Sequence, residues 1–77
     1  MTEGQKARAW REGFGLSRKA LSALIGYSPN HIFQLEAGVS SRGKPIAARD
    51  MLAYKMACAA VASGLTFDWG PVTIRLP

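Results

Sequence analysis

The chain has 77 residues, of which 48% are hydrophobic, and this length allows a single domain with one small core. Ten Lys and Arg residues against five Asp and Glu residues give a net charge of +5, which favours a polyanionic partner. Cys58 is the only cysteine, so no disulfide can form within the chain, and its alanine-rich surroundings favour a buried, inert thiol over a redox switch. The longest apolar stretch, 56–62, is too short to cross a bilayer, which needs about 20 residues, and the start of the chain lacks the pattern of a signal peptide. We therefore expect a cytoplasmic protein.

The first predicted helix covers about residues 3–13. Thr2 and Gln5 have the spacing of a capping box, which marks the start of the helix. Gly13 and Gly15 mark its end. Apolar residues recur at helical spacing within it, namely Ala7, Trp10 and Phe14.

A second short helix is predicted over about 18–25. Ser17 is a good N-cap, and Gly26 ends the helix at a position that calls for a positive φ. The side chains expected to face the core from this helix are Leu21, Leu24 and Ile25.

Ser28 caps a third predicted helix, with Pro29 at its first position, where a missing N–H does no harm. Ile32 and Leu35 are expected to point inward, and Ala37-Gly38 ends the helix. Two short amphipathic helices joined by a glycine turn are how a protein presents one helix to the major groove of DNA.

A polar, basic loop over 39–44 precedes a long predicted helix, which Pro45 opens, over about 46–63. This helix holds seven alanines and is apolar on more than one side, so backbones could approach it closely within the monomer or between subunits. Gly64 ends it.

The C-terminal tail alternates apolar and polar residues over 72–76, which predicts a strand. One interpretation pairs this strand with a preceding strand at 66–69, across a turn at Gly70-Pro71, so that the tail folds back with Trp69 as a lid. The favoured interpretation pairs it with the same strand of a second subunit, because a lone strand leaves its backbone groups unpaired. The expected dimerisation residues are Trp69, Val72, Ile74 and Leu76.

The region around the second and third helices resembles the Cro/cI (XRE-type) family of helix-turn-helix regulators, over about residues 5–52. Ser22 is small where the two helices cross, Gly26 lies in the turn, and the flanks Leu16-Ser17 and Leu35-Glu36-x-Gly38 also match. The family's apolar positions are occupied by Leu21, Ile25, Tyr27, Ile32 and Leu35. The resemblance implies a mainly α, lambda-repressor-like domain over 1–77, with four to five helices and a short C-terminal strand or hairpin.

If Ile32 and Leu35 face the core, helical geometry turns Pro29, Asn30, Phe33, Gln34 and Ala37 outward. Asn and Gln are the side chains that bond the edge of adenine bidentately. The alternative for this face is an ordinary solvated helix surface. The predicted base-contacting residues are Pro29, Asn30, His31, Phe33 and Gln34.

Phe33 has two interpretations. It could be partly buried beneath Tyr27 or the 39–44 loop, or it could contact the methyl group of a thymine.

The resemblance also implies contacts to the DNA backbone, which would fix register and supply salt-dependent affinity. The family often has Gln where Arg18 stands, and Arg favours a charge contact over a specific bridge to a base. Lys19 and Arg49 are either further contacts or solvated charges. The predicted phosphate-contacting residues are Ser17, Arg18, Ser28, Arg42 and Lys44.

Arg11 and Glu36 stand where the family commonly pairs the first helix with the end of the third. We expect a partly buried ion pair here, with the charged groups within about 4 Å of each other.

No catalytic or metal-binding constellation is recognised in the sequence. One His, one Cys and scattered carboxylates cannot supply the four closely spaced ligands of a zinc site, and His31 lies on an expected open helix surface rather than in a pocket. Gly13-Phe14-Gly15 lacks the strand-to-helix context of a phosphate loop. We expect no enzyme activity, no cofactor, no small-molecule ligand and no membrane partner.

The sequence therefore predicts a homodimeric repressor that binds a palindromic operator in double-stranded DNA, with autoregulation of the phage type, the anti-CRISPR-associated type or the antitoxin type. The alternative is a protein-interaction module, such as an antitoxin or an inhibitor, that uses the same fold without reading DNA. That alternative predicts one apolar patch made by Phe33, Trp69 and the tail.

Overall fold

The computed structural model describes residues 1–74 and shows a mainly helical chain with a small C-terminal hairpin. The helices are α1 (Glu3–Gly13), α2 (Arg18–Ile25), α3 (Pro29–Ala37) and α4 (Ala48–Ser63). The strands β1 (Leu65–Thr66) and β2 (Thr73–Ile74) pair antiparallel, with Leu65 opposite Ile74 and Thr66 opposite Thr73. No helix in this part of the chain has the length and apolar character needed to cross a membrane.

Local signals place the ends of the first three helices. The Thr2 hydroxyl accepts a hydrogen bond from the backbone N–H of Gln5, and the side-chain oxygen of Gln5 accepts one from the backbone N–H of Thr2. The predicted capping box is therefore confirmed. Gly26 and Gly38 end α2 and α3 with φ of 79° and 80°, the left-handed conformation that glycine adopts without steric cost.

The core lies where α4 meets α2 and α3. Leu21, Ile32 and Leu35 are fully buried, as the sequence predicts. The prediction that Leu24 faces the core is wrong: it is 60% exposed, because α2 packs through the line from Leu21 to Ile25 and Leu24 lies to one side of it. The α4 residues in this core are Met51, Tyr54 and Cys58.

The start of α4 differs from the sequence prediction, which placed it near residue 46. Pro45 forms an isolated bridge with Val39, and the Ile46 N–H donates to the carbonyl of Gly38 at 3.2 Å. These long-range bonds hold 45–46 extended, so the helix begins two residues later, at Ala48, with no side-chain cap from Ala47.

The tail folds back within the chain, as in the hairpin interpretation, and pairing between subunits stays a prediction. The first strand is Leu65–Thr66 rather than 66–69, because the residues between Thr66 and Thr73 are needed for the connection. Trp69 is 90% exposed and therefore does not act as a lid. Leu76 and the end of the predicted strand at 72–76 lie outside the described residues.

Candidate nucleic-acid interface

The outer face of α3 is open to solvent. With Ile32 and Leu35 fully buried, the opposite side of the helix presents Asn30 and Ala37 as exposed residues. Pro29 and His31 are exposed as well. Gln34, which is predicted to face outward, is partly buried. The face that the sequence singles out for base contacts is thus accessible, with Asn30 and Gln34 one helical turn apart.

Ser17 and Ser28, predicted to contact phosphate, act as N-caps. The hydroxyl of Ser17 accepts a hydrogen bond from the Ala20 N–H, and that of Ser28 accepts from the His31 N–H, each at 3.0 Å. A serine hydroxyl that accepts a cap bond still has its own proton to donate. The remaining free N–H groups and the helix dipole give both helix starts a partial positive charge, which attracts anions.

Arg11 and Glu36 form a buried ion pair between α1 and the end of α3. Arg11 Nε donates to Glu36 Oε2 at 2.6 Å, and a second guanidinium nitrogen donates to Oε1 at 3.1 Å. The two side chains are 7% and 3% exposed. The pair that the sequence predicts is present, and a further bond from Arg11 to the carbonyl of Leu16 at 2.9 Å fixes the guanidinium to the segment before α2.

Glu36 is also paired with Arg18, a contact that the sequence analysis missed. Arg18 Nε donates to Glu36 Oε1 at 3.1 Å, and its terminal nitrogen lies 3.0 Å from the same oxygen. Sequence spacing gave no sign of this contact, because it depends on the angle at which the start of α2 meets the end of α3. Arg18 remains about one-third exposed, so part of its guanidinium still faces solvent.

The shared carboxylate has a perturbed pKa. Burial acts to raise the pKa of Glu36, but the hydrogen bonds and positive charges of Arg11 and Arg18 outweigh it, so that the pKa lies below its usual value. The hydrogen bond to Glu36 likewise raises the pKa of Arg11. Glu36 and Arg11 are therefore both charged at neutral pH.

Phe33 is 52% exposed and lies beside Arg18, whose guanidinium carbon is 5.1 Å from the centre of the ring. The idea that Phe33 is covered by Tyr27 is wrong, because Tyr27 stacks on His31 at 5.0 Å and contacts the ring of Tyr54. A cation over an aromatic face is attracted by the ring quadrupole. Phe33 and Arg18 thus form one exposed surface unit between α2 and α3.

The remaining predicted cations are exposed to solvent. Arg42 and Lys44 are exposed in the turn after α3, which is closed by a bond from the Ser40 N–H to the Lys44 carbonyl at 2.7 Å. Lys19 is exposed in the first turn of α2, and Arg49 in the first turn of α4. Within residues 1–74, none of these four side chains has a carboxylate within ion-pair distance.

The predicted dimerisation residues of the described tail are solvent-accessible. Trp69 is 90% exposed, Val72 58% and Ile74 57%. The ring of Phe67 packs edge-on against Trp69 at 5.4 Å between centroids. The aromatic residues of the tail thus contact each other, whereas Phe33 contacts Arg18.

An open groove lies between α1 and α4, lined by Trp10 and by alanines of both helices, with an ion pair between Lys55 and Glu3 at its edge. Among residues 1–74 there is no group of three or more His, Cys, Asp or Glu side chains placed to hold a metal ion.

Comparisons with models of protein families, with curated proteins and with solved structures find no match to this chain.

Proposed function

We propose that the chain is a sequence-specific DNA-binding transcriptional regulator of the Cro/cI (XRE-type) class, in which α2 and α3 form a lambda-repressor-like helix-turn-helix and α3 enters the major groove. The observation that carries this proposal is the open outer face of α3, where Asn30 and Gln34 stand one turn apart and outside the core. Their amide groups suit the donor and acceptor pattern of adenine in the major groove.

The elements around α3 support the same proposal, because they offer the hydrogen-bond donors and positive charge that bind the phosphates on either side of the major groove. Two capped helix starts, at Ser17 and Ser28, offer N–H groups and partial positive charge. Arg42 and Lys44 follow α3 on an exposed turn. Such contacts position a protein on DNA, while base contacts choose the sequence.

The distribution of ion pairs supports it further. The exposed cations Arg8 and Lys55 are paired, with Glu12 and with Glu3, and these pairs involve α1 and α4. Five Lys and Arg side chains in residues 1–74 have no carboxylate partner: Lys19, Arg42 and Lys44 lie on α2 and on the turn after α3, whereas Lys6 lies on α1 and Arg49 in the first turn of α4. Three of these five cations thus lie on the elements next to the proposed recognition helix in the chain.

One α3 helix reads only part of an operator, so we propose a homodimer on a palindromic site, with its two recognition helices about 34 Å apart, one turn of DNA. Occupying a promoter in this way blocks RNA polymerase, and the simplest circuit is repression of the protein's own promoter.

Binding to the DNA upstream of its own gene, measured by gel shift against salt concentration, tests this proposal. We expect Gln34→Ala to cost specific binding about 1–3 kcal/mol while non-specific binding barely changes. Lys44→Ala should weaken binding to all sequences and lower the salt slope by about 1. Lys6→Ala is the matched control, because Lys6 has the same charge but lines the groove between α1 and α4.

Equal effects of Lys44→Ala and Lys6→Ala, or specific binding that survives Gln34→Ala unchanged, would contradict the DNA-binding proposal. That result would favour the protein-interaction module, the alternative function for this fold.

A further inference from the structure

The guanidinium of Arg18 is held along one of its two donor edges. Its Nε donates to Glu36 Oε1 at 3.1 Å, and its Nη2 lies 3.0 Å from the same oxygen. The guanidinium is planar, and its N–H groups have a fixed arrangement, so these two nitrogens define its side edge. The second donor edge, here called the terminal edge, consists of Nη1 and the outer N–H of Nη2. Within residues 1–74, Nη1 makes no hydrogen bond, and the side chain is 32% exposed.

A contact with an aromatic ring fixes the plane of the same guanidinium. Its central carbon lies 5.1 Å from the centre of the Phe33 ring, and Phe33 is 52% exposed on the outer side of α3. Glu36 is itself held by Arg11 at 2.6 Å and is only 3% exposed, which makes it a rigid support. The orientation of Arg18 is therefore fixed before it meets a ligand, and this reduces the entropy that its side chain loses on binding.

The charge of Arg18 is partly offset, unlike that of its neighbours on α2 and on the turn after α3. The carboxylate of Glu36 accepts bonds from this guanidinium and from a second one. Contacts to phosphate draw their affinity mainly from positive charge. In residues 1–74, Lys19, Arg42 and Lys44 have no carboxylate partner and suit that purpose. Arg18, which the sequence predicts to contact phosphate, offers a fixed pair of N–H donors instead of a free charge.

A ligand for the terminal edge must present two hydrogen-bond acceptors side by side. In the major groove guanine does so with O6 and N7, and the bonds from Arg to this pair are the commonest specific contact to a base. Adenine has an acceptor beside a donor, so one N–H of the terminal edge would face another donor. A phosphate also offers two acceptors, but the terminal edge lies beside Phe33, on the side of α3 that is proposed to meet the bases.

We propose that Arg18 reads a guanine of the operator by donating from its terminal edge to O6 and N7, while Glu36 and Phe33 hold its guanidinium in place. This inference rests on the proposed function and deepens it by naming one base of the site. The guanidinium is 5.1 Å from the Phe33 ring. Since successive base pairs are about 3.4 Å apart, the guanine should lie within about two base pairs of the base that Phe33 contacts.

Selection of binding sites from a random-sequence library of duplex DNA tests the proposal. We expect the wild type to enrich a motif with a guanine in each half-site. Arg18→Gln keeps a donor for Glu36 but removes the terminal edge, and it should lower the preference for that guanine by about 5- to 150-fold, the value of a bidentate contact. Loss of a phosphate contact would weaken binding to all sequences and leave the motif unchanged, because phosphate carries no sequence information.

Lys19→Gln is the matched control for this selection. Lys19 is the neighbouring cation in the first turn of α2 and is exposed. Its replacement removes the same charge, so it should weaken binding to all sequences while the enriched motif stays the same. Circular dichroism confirms that both variants are folded.

A second measurement uses the unaltered protein and changes only the DNA. In a gel shift with the enriched site, 7-deazaguanine at the selected position lacks N7 and should weaken binding by at least about threefold, the value of one hydrogen bond. Inosine at the same position is the control, because it keeps O6 and N7 and lacks only the amino group in the minor groove. Inosine should bind as well as guanine.

The outcomes separate this inference from the function on which it rests. A motif that is the same for the wild type and for folded Arg18→Gln overturns the inference, and so does full binding to 7-deazaguanine DNA. In both cases the DNA-binding proposal stands, and Arg18 is a phosphate contact. If the wild type enriches no motif at all, the DNA-binding proposal is wrong, and the reading of guanine by Arg18 is wrong with it.

Discussion

The Cα of Gly4 in α1 lies directly against the main-chain carbonyl groups of Glu36 and Leu35 in α3. A Cβ added to Gly4 would stand 2.8 Å from the carbonyl oxygen of Leu35 and closer still to that of Glu36. Only glycine lets the two backbones approach this closely, so this contact sets the distance between α1 and α3.

Gly4→Ala should therefore destabilise the fold by about 1–3 kcal/mol, because the obstacle is backbone that cannot rotate away. Gly13→Ala is the control: Gly13 ends the same helix with nothing within 4 Å of an added Cβ, and alanine there should be neutral or stabilising by up to about 1 kcal/mol. Urea unfolding of the two variants measures the difference. If Gly4→Ala and Gly13→Ala have equal free energies of unfolding, α1 and α3 can move apart to make room for the added Cβ without loss of stability.

Glu36→Gln should destabilise the protein by about 3–5 kcal/mol, because it leaves the buried guanidinium of Arg11 without its counter-charge. Glu12→Gln removes a carboxylate from an exposed pair with Arg8 and should cost no more than about 1 kcal/mol. Thermal unfolding at neutral pH compares the two. A Glu36→Gln variant as stable as Glu12→Gln would contradict the structural role of the buried pair.

The same carboxylate should make stability depend on acid. The pKa of Glu36 is lowered in the folded protein from a value of 4.5, so its contribution is fully present above about pH 4.5 and is lost as the pH falls further toward the folded pKa. Chemical unfolding between neutral pH and strong acid should show this loss in the wild type. The loss of stability in acid should be smaller in Glu36→Gln than in the wild type. If Glu36→Gln loses as much stability in acid as the wild type, other carboxylates are responsible for the loss.

Tyr54 should make stability depend on alkali in the opposite direction. Its hydroxyl is buried without a hydrogen-bond partner in residues 1–74, beside the weakly bonding thiol of Cys58, and burial raises its pKa well above the ordinary value of 10.0. The phenol ionises in the unfolded chain first, so its contribution is retained below about pH 10 and is lost at higher pH, while burial also raises the pKa of Cys58 from 9.0 and adds a loss of the same sign from about pH 9. Tyr54→Phe should therefore reduce this dependence to the part that Cys58 contributes, and should gain about 1 kcal/mol at neutral pH, as judged by urea unfolding. A loss of stability in Tyr54→Phe would show that the hydroxyl has a partner.

Phe33→Ala should weaken specific DNA binding by about 1–2 kcal/mol if the exposed half of the ring is covered by a thymine methyl group. Leu24→Ala removes a similarly exposed apolar side chain from α2 and should leave binding unchanged. Gel shifts with DNA carrying thymine or uracil at the contacted position separate methyl contact from general packing. If uracil has no effect on the wild type, Phe33 serves to hold Arg18.

Sequence patterns predicted those parts of the fold that depend on neighbours along the chain. Capping residues such as Ser17 and Ser28, and glycines with φ near 80° such as Gly26, act within a single turn, so the ends of α1, α2 and α3 could be predicted closely. The start of α4 could not, because the bond from Ile46 to the carbonyl of Gly38 connects residues on either side of the loop and competes with the first helical turn.

The candidate site shows the same division. Which residues of α3 face outward follows from helical periodicity around Ile32 and Leu35. The link from Arg18 to Glu36, and the exposure of Leu24, depend on how α2 crosses its neighbours, and no short pattern encodes that angle.

The Glu36 carboxylate joins residues from three successive helices, α1, α2 and α3. This constrains how the sequence can evolve. A replacement of Glu36 leaves the buried guanidinium of Arg11 without its counter-charge and at the same time releases the partly exposed guanidinium of Arg18. We therefore expect residues 11, 18 and 36 to change together during evolution. The bases that neighbouring residues of α3 contact can change independently of these three.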